Sequence, residues 1–196
     1  MSAEKLFLTR YNHYQKLEKR YTKSFDRISN LRFFIFIIGA ALTVLCSFLG
    51  TPTQAVSVFI FFLVVFLVLV HKHSKVEQEL NMVRAMLEIQ RRYLSRMNGT
   101  WVSFADCGLE FVDGNHPYTY DLDIFGPKSL FQWISVAKTV LGRHHLKTLL
   151  ANPSKDPNTI KMRQKAVREL TTKLEFCQKL ECYGLLVDEV SRDTGG

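Results

Sequence analysis

Histidines, cysteines and paired carboxylates are the residues in this chain with the chemistry to hold a metal or a substrate. His144 and His145 are adjacent, and His71 and His73 are separated by one lysine. Neighbouring helical residues point in different directions, so His144 and His145 cannot readily share one ion, and no cysteine or carboxylate completes a shell. Solvent-facing histidines are the expectation. The four cysteines, Cys46, Cys107, Cys177 and Cys182, contain no C-x-x-C pair. Neither a disulfide framework nor a zinc site follows, and reduced thiols are expected. Cys177 and Cys182 fall off the four-residue helical step and read as small core residues. Asp121 and Asp123 imitate a catalytic carboxylate pair, but alternation in an extended segment followed by a turn accounts for them. Lys161, Arg163, Lys165 and Arg168 cluster without interleaved aromatics, the pattern of a solvated helix face more than of a nucleic-acid groove. No G-x-x-x-x-G-K-S/T loop occurs, so a phosphate cradle of that kind is absent. No catalytic, cofactor-binding or metal residue is assigned, and the chain is expected not to be an enzyme.

The elements around these residues are dominated by apolar character in one place. The chain has 196 residues, 47% hydrophobic, and much of that share lies between Leu31 and Val70. Leu31–Leu49 carries one charge, Arg32, at its edge, and Ala55–Val70 is almost purely Val, Phe, Leu and Ile. A helix rises ~1.5 Å per residue, so about 20 residues cross a hydrocarbon core. The second run is slightly short, but Gln54 and His71 can sit at the interfaces. Gly50 to Gln54 is an uncharged turn containing Pro52. A buried core hairpin of a soluble protein would keep a polar edge, which these runs lack. The first run begins only at Leu31 and has no cleavage signature, so it is not read as a secretory signal. Lys16, Lys19, Arg20, Lys23, Arg27 and Arg32 precede the first run, and Lys72, Lys75, Arg84, Arg91 and Arg92 follow the second. Positive flanks stay in the cytoplasm, so the expectation is a multi-pass protein of the cell membrane with both termini cytoplasmic. The net charge of +8 suits anionic lipid headgroups or nucleic acid, and composition does not choose between them.

Both flanks carry a helical stripe. Phe7, Tyr11, Tyr14, Glu18, Tyr21, Phe25 and Ile28 step by four and three residues, as do Val76, Leu80, Val83, Leu87, Gln90, Leu94 and Met97. Heptad spacing puts each set on one face, so residues 1–30 and 71–98 are expected to form an antiparallel helical stalk continuing the hairpin of residues 31–70. The alternative is that each helix lies on the membrane surface.

Residues 99–196 read as a small, mostly helical domain. Asn98-Gly99 ends the stalk, Thr100–Phe104 looks strand-like through alternating Val102 and Phe104, and Asp113-Gly114-Asn115 reads as a turn between extended pieces. Ser129 is a good N-cap for a helix with Leu130, Trp133, Ile134 and Ala137 on one face. Thr139 caps a second helix through Leu146, Leu149 and Leu150 to a stop at Asn152-Pro153, and Asp156-Pro157 starts a third carrying Ile160, Ala166, Val167, Leu170 and Leu174. A further apolar stretch runs through Leu180, Leu185, Leu186 and Val190. The fold class is therefore mainly α: an apolar two-helix transmembrane hairpin with a helical stalk, then a small helical domain with one short extended segment.

From Asp121 onward the chain resembles the core, or lever, domain of MutS-family DNA mismatch-repair ATPases. The residues are Asp121-Leu122-Asp123-Ile124-Phe125-Gly126, Ser129-Leu130-Phe131-Gln132, Thr139-Val140-Leu141-Gly142-Arg143, Leu149-Leu150-Ala151-Asn152-Pro153 and Ile160-Lys161-Met162-Arg163-Gln164-Lys165-Ala166-Val167. Their order and spacing, with His116-Pro117-Tyr118 and the N-terminal hairpin, are similar to the membrane-anchored bacterial branch of that family, over roughly residues 108–190. The physical roles of these residues are structural: Gly142 permits a sharp start to a helix, Pro153 stops one, and Arg163 and Gln164 can bond a neighbouring turn.

The resemblance implies a domain that connects DNA-gripping elements to an ATPase and transmits nucleotide state as motion. ATP and magnesium would belong to the full-length family's ATPase domain, and no cofactor is expected in this chain. Residues 99–196 would then be a partial core/lever domain at the N-terminal portion of a longer protein, with apolar helix faces that leave a soluble fragment loosely packed or self-associating. The expected partners are the lipid bilayer, duplex DNA, and a MutS-like ATPase segment or a second copy. The rival is a small membrane scaffold that associates with proteins through its stalk and never meets DNA.

Overall fold

A computed structural model describes the backbone of residues 2–193 and the side chains through residue 187. Two helices dominate it, α1 over Ala3–Leu49 and α2 over Pro52–Met97. Both are long and apolar enough to cross a membrane, and only 6% of each apolar window is buried within the protein. Phe33, Phe48 and Phe61 are 63%, 83% and 63% exposed, an arrangement that water would penalise heavily and lipid would not. A core hairpin of a soluble protein would hide these rings.

The chain divides into two compact units. One, His13–Arg84, is the hairpin. Its two arms run antiparallel: Glu18 pairs with Arg84 at 3.6 Å, Phe25 lies 4.3 Å from His73 between ring centroids, and Phe36 lies 6.2 Å from Phe66. Glu18, Tyr21, Phe25 and Ile28 are half-buried, and Leu80 and Val83 are buried, as the heptad stripes require. Glu18, the polar occupant of the first stripe, is accommodated by Arg84 on the opposite arm. Gly39 of one arm faces Phe62 of the other.

The second unit is built from Met1–Asn12 and Ala85–Gly196. It therefore takes its first helical turns from α1, a further helical segment from the end of α2, and the rest from four more helices. These are α3 (Leu130–Ile134), α4 (Val140–Ala151), α5 (Pro157–Thr171) and α6 (Leu174–Asp193). The caps are those the sequence offers. Ser129 accepts from the Gln132 amide, Thr139 from Gly142, and Asp156 from Asn158 and Thr159, with Pro157 in the first turn. A Cβ at Gly142 would meet the Thr139 hydroxyl at 3.1 Å, so the glycine makes room for the cap. One core cluster joins Phe111, Ile124, Phe125, Phe131 and Ala151, closed by Tyr118, whose hydroxyl donates to the Leu150 and Ala151 carbonyls. The other joins Ala85, Ile89 and Cys182, with Tyr93, Leu185 and Leu186 against it, and Phe7 stacks on Tyr93 at 4.8 Å.

Four local expectations are corrected. Thr100–Ser103 is a 3-10 turn and not a strand, because Gly99 enters it with φ +75° and the backbone of Phe104 closes it on Trp101. Among the described residues there is no strand. Asp121 and Asp123 lie in a run of turns, with Asp123 at φ 48°, and not in an extended segment. α3 buries Phe131 and Gln132, while Leu130, Trp133 and Ile134 stay exposed and Ala137 lies beyond its end. α5 stops at Thr171, so Leu174 begins α6 instead of ending the third helix, and Ile160, Val167 and Leu170 form an exposed face. The Val190 side chain and residues 194–196 lie outside the described residues.

Candidate functional site

The polar chemistry of the second unit gathers around the C-terminal end of α3. Arg96 donates from Nε to the Trp133 carbonyl at 2.7 Å and from Nη2 to the Ser135 carbonyl at 2.8 Å. Arg92 reaches the same Ser135 carbonyl at 3.4 Å. Last-turn carbonyls of a helix lack intrahelical partners, and cations are favoured there. Both guanidinium groups lie over the Phe104 ring, at 4.5 Å and 5.4 Å from its centroid. The alternating Val102 and Phe104 that imitate a strand thus serve another purpose. Gln132 holds the Val102 and Phe104 carbonyls, and Phe104 supplies a platform for two cations.

These cations are closer together than their charges favour. Burial, then the neighbouring Arg92, lowers the pKa of Arg96. Lys138 is lowered further, to about 8, by burial and then by Arg92. Glu181, buried on α6, is pushed up by burial, with Lys138, Arg96 and Arg92 opposing that shift. Burial and the Glu181 charge raise the Tyr93 phenol. Arg92 Nε, Arg96 Nη1, Ser135 Oγ and Glu181 Oε1 are buried without a hydrogen-bond partner among the described residues. Beside them Arg143 is fully engaged. It forks onto Asp106 at 2.9 and 2.8 Å and also meets Glu110, bonds that outweigh its burial and raise its pKa.

A second polar chain crosses the unit. Gln178 donates to Gln90 at 3.4 Å and accepts from Arg10 at 2.9 Å, and Arg10 also lies 3.4 Å from Glu175. Gln90, the polar residue of the second heptad stripe, is thus buried against a glutamine of α6.

The residues weighed from sequence are scattered. His144 packs edge-on against Phe111, the His73 ring lies tilted against Phe25, and His145 and His71 are exposed. No group of three metal-ligating side chains forms among the described residues. The four cysteines are free, with Cys182 buried and Cys46, Cys107 and Cys177 half-buried. Lys161, Arg163, Lys165 and Arg168 are exposed along α5, and no side-chain hydrogen bond from Arg163 or Gln164 is present among the described residues. Sequence inspection missed the Arg92, Arg96, Lys138, Glu181 cluster. The usable signal was a pair of arginines one helical turn apart, placed just before an aromatic residue. No family model, no curated protein and no solved structure matches this chain.

Proposed function

We propose that this chain is the membrane anchor and first lever element of a MutS-like, DNA-associated machine, with both termini in the cytoplasm and no chemistry of its own. The observation that carries this reading is the continuity of α1 and α2, at 47 and 46 residues. Each passes without a break from an exposed apolar segment into a unit that contains the opposite end of the same hairpin. The basic flanks and the uncharged turn at Gly50–Gln54 support the orientation. The MutS-like identity rests on the ordered residues from Asp121 to Val167, several of which cap or stop helices. ATP and magnesium would be handled by a MutS-like ATPase segment.

Binding of a 30-base-pair duplex to the full chain in neutral-lipid nanodiscs tests this reading. The expected result is affinity falling linearly with salt on logarithmic axes, since each neutralised phosphate releases a counterion. Absence of binding at low salt would favour the scaffold. Protein association, there through α6 and not the stalk, is favoured by the heptad-spaced stripe Phe176, Leu180, Tyr183 and Val187, all more than half exposed.

A further inference from the structure

A cleft of about 920 Å³ opens on the second unit, lined by Arg91, Arg92, Phe104, Lys138, Arg143 and Leu185 among others. That volume lies in the range of small-molecule sites, roughly 300–1,000 Å³. Its charges are unevenly matched. Arg143 is neutralised by Asp106 and Glu110, and Arg91 by Glu88 at 3.7 Å. On the lining Arg91, Arg92, Lys138 and Arg143 face Glu88, Asp106 and Glu110, which leaves one positive charge in excess at neutral pH. Lys138 makes no ion pair within 4 Å among the described residues, and Arg92 Nε is a buried donor with no partner. Unmatched buried donors cost folding free energy unless something supplies acceptors.

We propose that this cleft binds a small phosphomonoester, with its phosphate between Lys138 and Arg92 and its apolar body against Phe104, Val140 and Leu185. A phosphomonoester supplies negative charge and acceptors to Lys138, the lining cation that makes no ion pair among the described residues. Nucleic acid fits less well. Glu88, Asp106 and Glu110 stand on the lining, where a continuous polyanion would meet all three, whereas a single phosphate at Lys138 would have Asp106 alone of them beside it. The inference does not depend on the membrane or DNA assignments.

Isothermal titration of the full chain in neutral-lipid nanodiscs with phenyl phosphate, at constant ionic strength set by chloride, tests the proposal. Saturable one-site binding is expected at pH 7, with inorganic phosphate weaker because it lacks the ring. Lys138→Met should weaken phenyl phosphate at least tenfold and Lys138→Arg should keep most of the affinity. Glu181→Gln should strengthen binding by removing the carboxylate that competes for the lysine. In the unmodified chain, affinity should fall between pH 7 and 9 as Lys138 loses its proton. Its charged neighbours are Arg92 and Arg96 from α2, Glu181 from α6 and Asp106 from the preceding loop. The ligand stays a dianion over that interval, since the second phosphate pKa is about 6. Heats no larger than with sodium chloride, an unchanged Lys138→Met affinity, or displacement of phenyl phosphate by stoichiometric duplex DNA would each overturn it.

Discussion

Gly39 and Phe62 meet so closely across the apolar hairpin that a Cβ added to the glycine would lie 2.8 Å from the Cβ of the phenylalanine. Small residues let apolar helices approach in lipid, where packing, and not exclusion of water, holds them together. Gly39→Leu should therefore force the arms apart, at a cost of about 1–3 kcal/mol. Disulfide trapping between cysteines placed at Phe36 and Phe66 should drop sharply in that variant, while Gly39→Ala gives a smaller loss. Equal trapping in all three would show that the arms are not packed there.

Gln90 and Gln178 are not equivalent partners. Replacing Gln178 with leucine strands the Gln90 oxygen beside an amide nitrogen that already lacks a partner and takes an acceptor from Arg10, whereas Gln90→Leu removes that nitrogen and strands only the Gln178 amide nitrogen. A buried group left unsatisfied costs about 1–3 kcal/mol. Gln178→Leu should accordingly destabilise the full chain more than Gln90→Leu, by about 1 kcal/mol or more in thermal unfolding followed in detergent. The reverse order would contradict the geometry.

Arg96 ties α2 to the end of α3 through two hydrogen bonds and stacks on Phe104. Arg96→Met keeps the aliphatic stem but frees the Trp133 and Ser135 carbonyls, and should cost about 2–3 kcal/mol. Amide exchange in residues 130–137 should accelerate more than exchange in α4.

The hairpin was legible because apolar runs between charged flanks have few other solutions. The heptad stripes were legible for the same reason, down to their polar positions: Glu18 pairs with Arg84, and Gln90 lies against Gln178. The caps at Ser129, Thr139 and Asp156 followed from local chemistry. Thr100–Phe104 was misread because two alternating apolar residues are too short a pattern to exclude a turn opened by a left-handed glycine. The ends of α3 and α5 were misplaced, with Ala137 and Leu174 outside them, because apolar periodicity runs on past the residue where a helix stops. The cationic cluster joins residues from Arg92 to Glu181, a separation that no local pattern reports.

Lys138 gives the fold a pH signature. Its folded pKa of about 8 lies below the ordinary 10.5, so between those values the unfolded chain holds a proton that the folded chain has released. Stability should rise from pH 8 toward 10 in phosphate-free buffer, the direction for a depressed group whose contribution is lost as pH falls through the folded value. Above pH 10 the raised Tyr93 acts in the opposite sense. Lys138→Met should flatten the rise in denaturant unfolding midpoints measured across that interval, and an unaltered slope would contradict the burial of this lysine.

The account depends most on the hairpin crossing the bilayer with its turn outside. A single cysteine at Thr53, in a chain whose native cysteines are replaced by serine, tests this with a membrane-impermeant maleimide on intact cells. The account predicts that position 53 is labelled at once, whereas a cysteine at Ser2 is labelled only after permeabilisation. Labelling of position 53 only in permeabilised cells, or recovery of the chain in the supernatant without detergent, would contradict it.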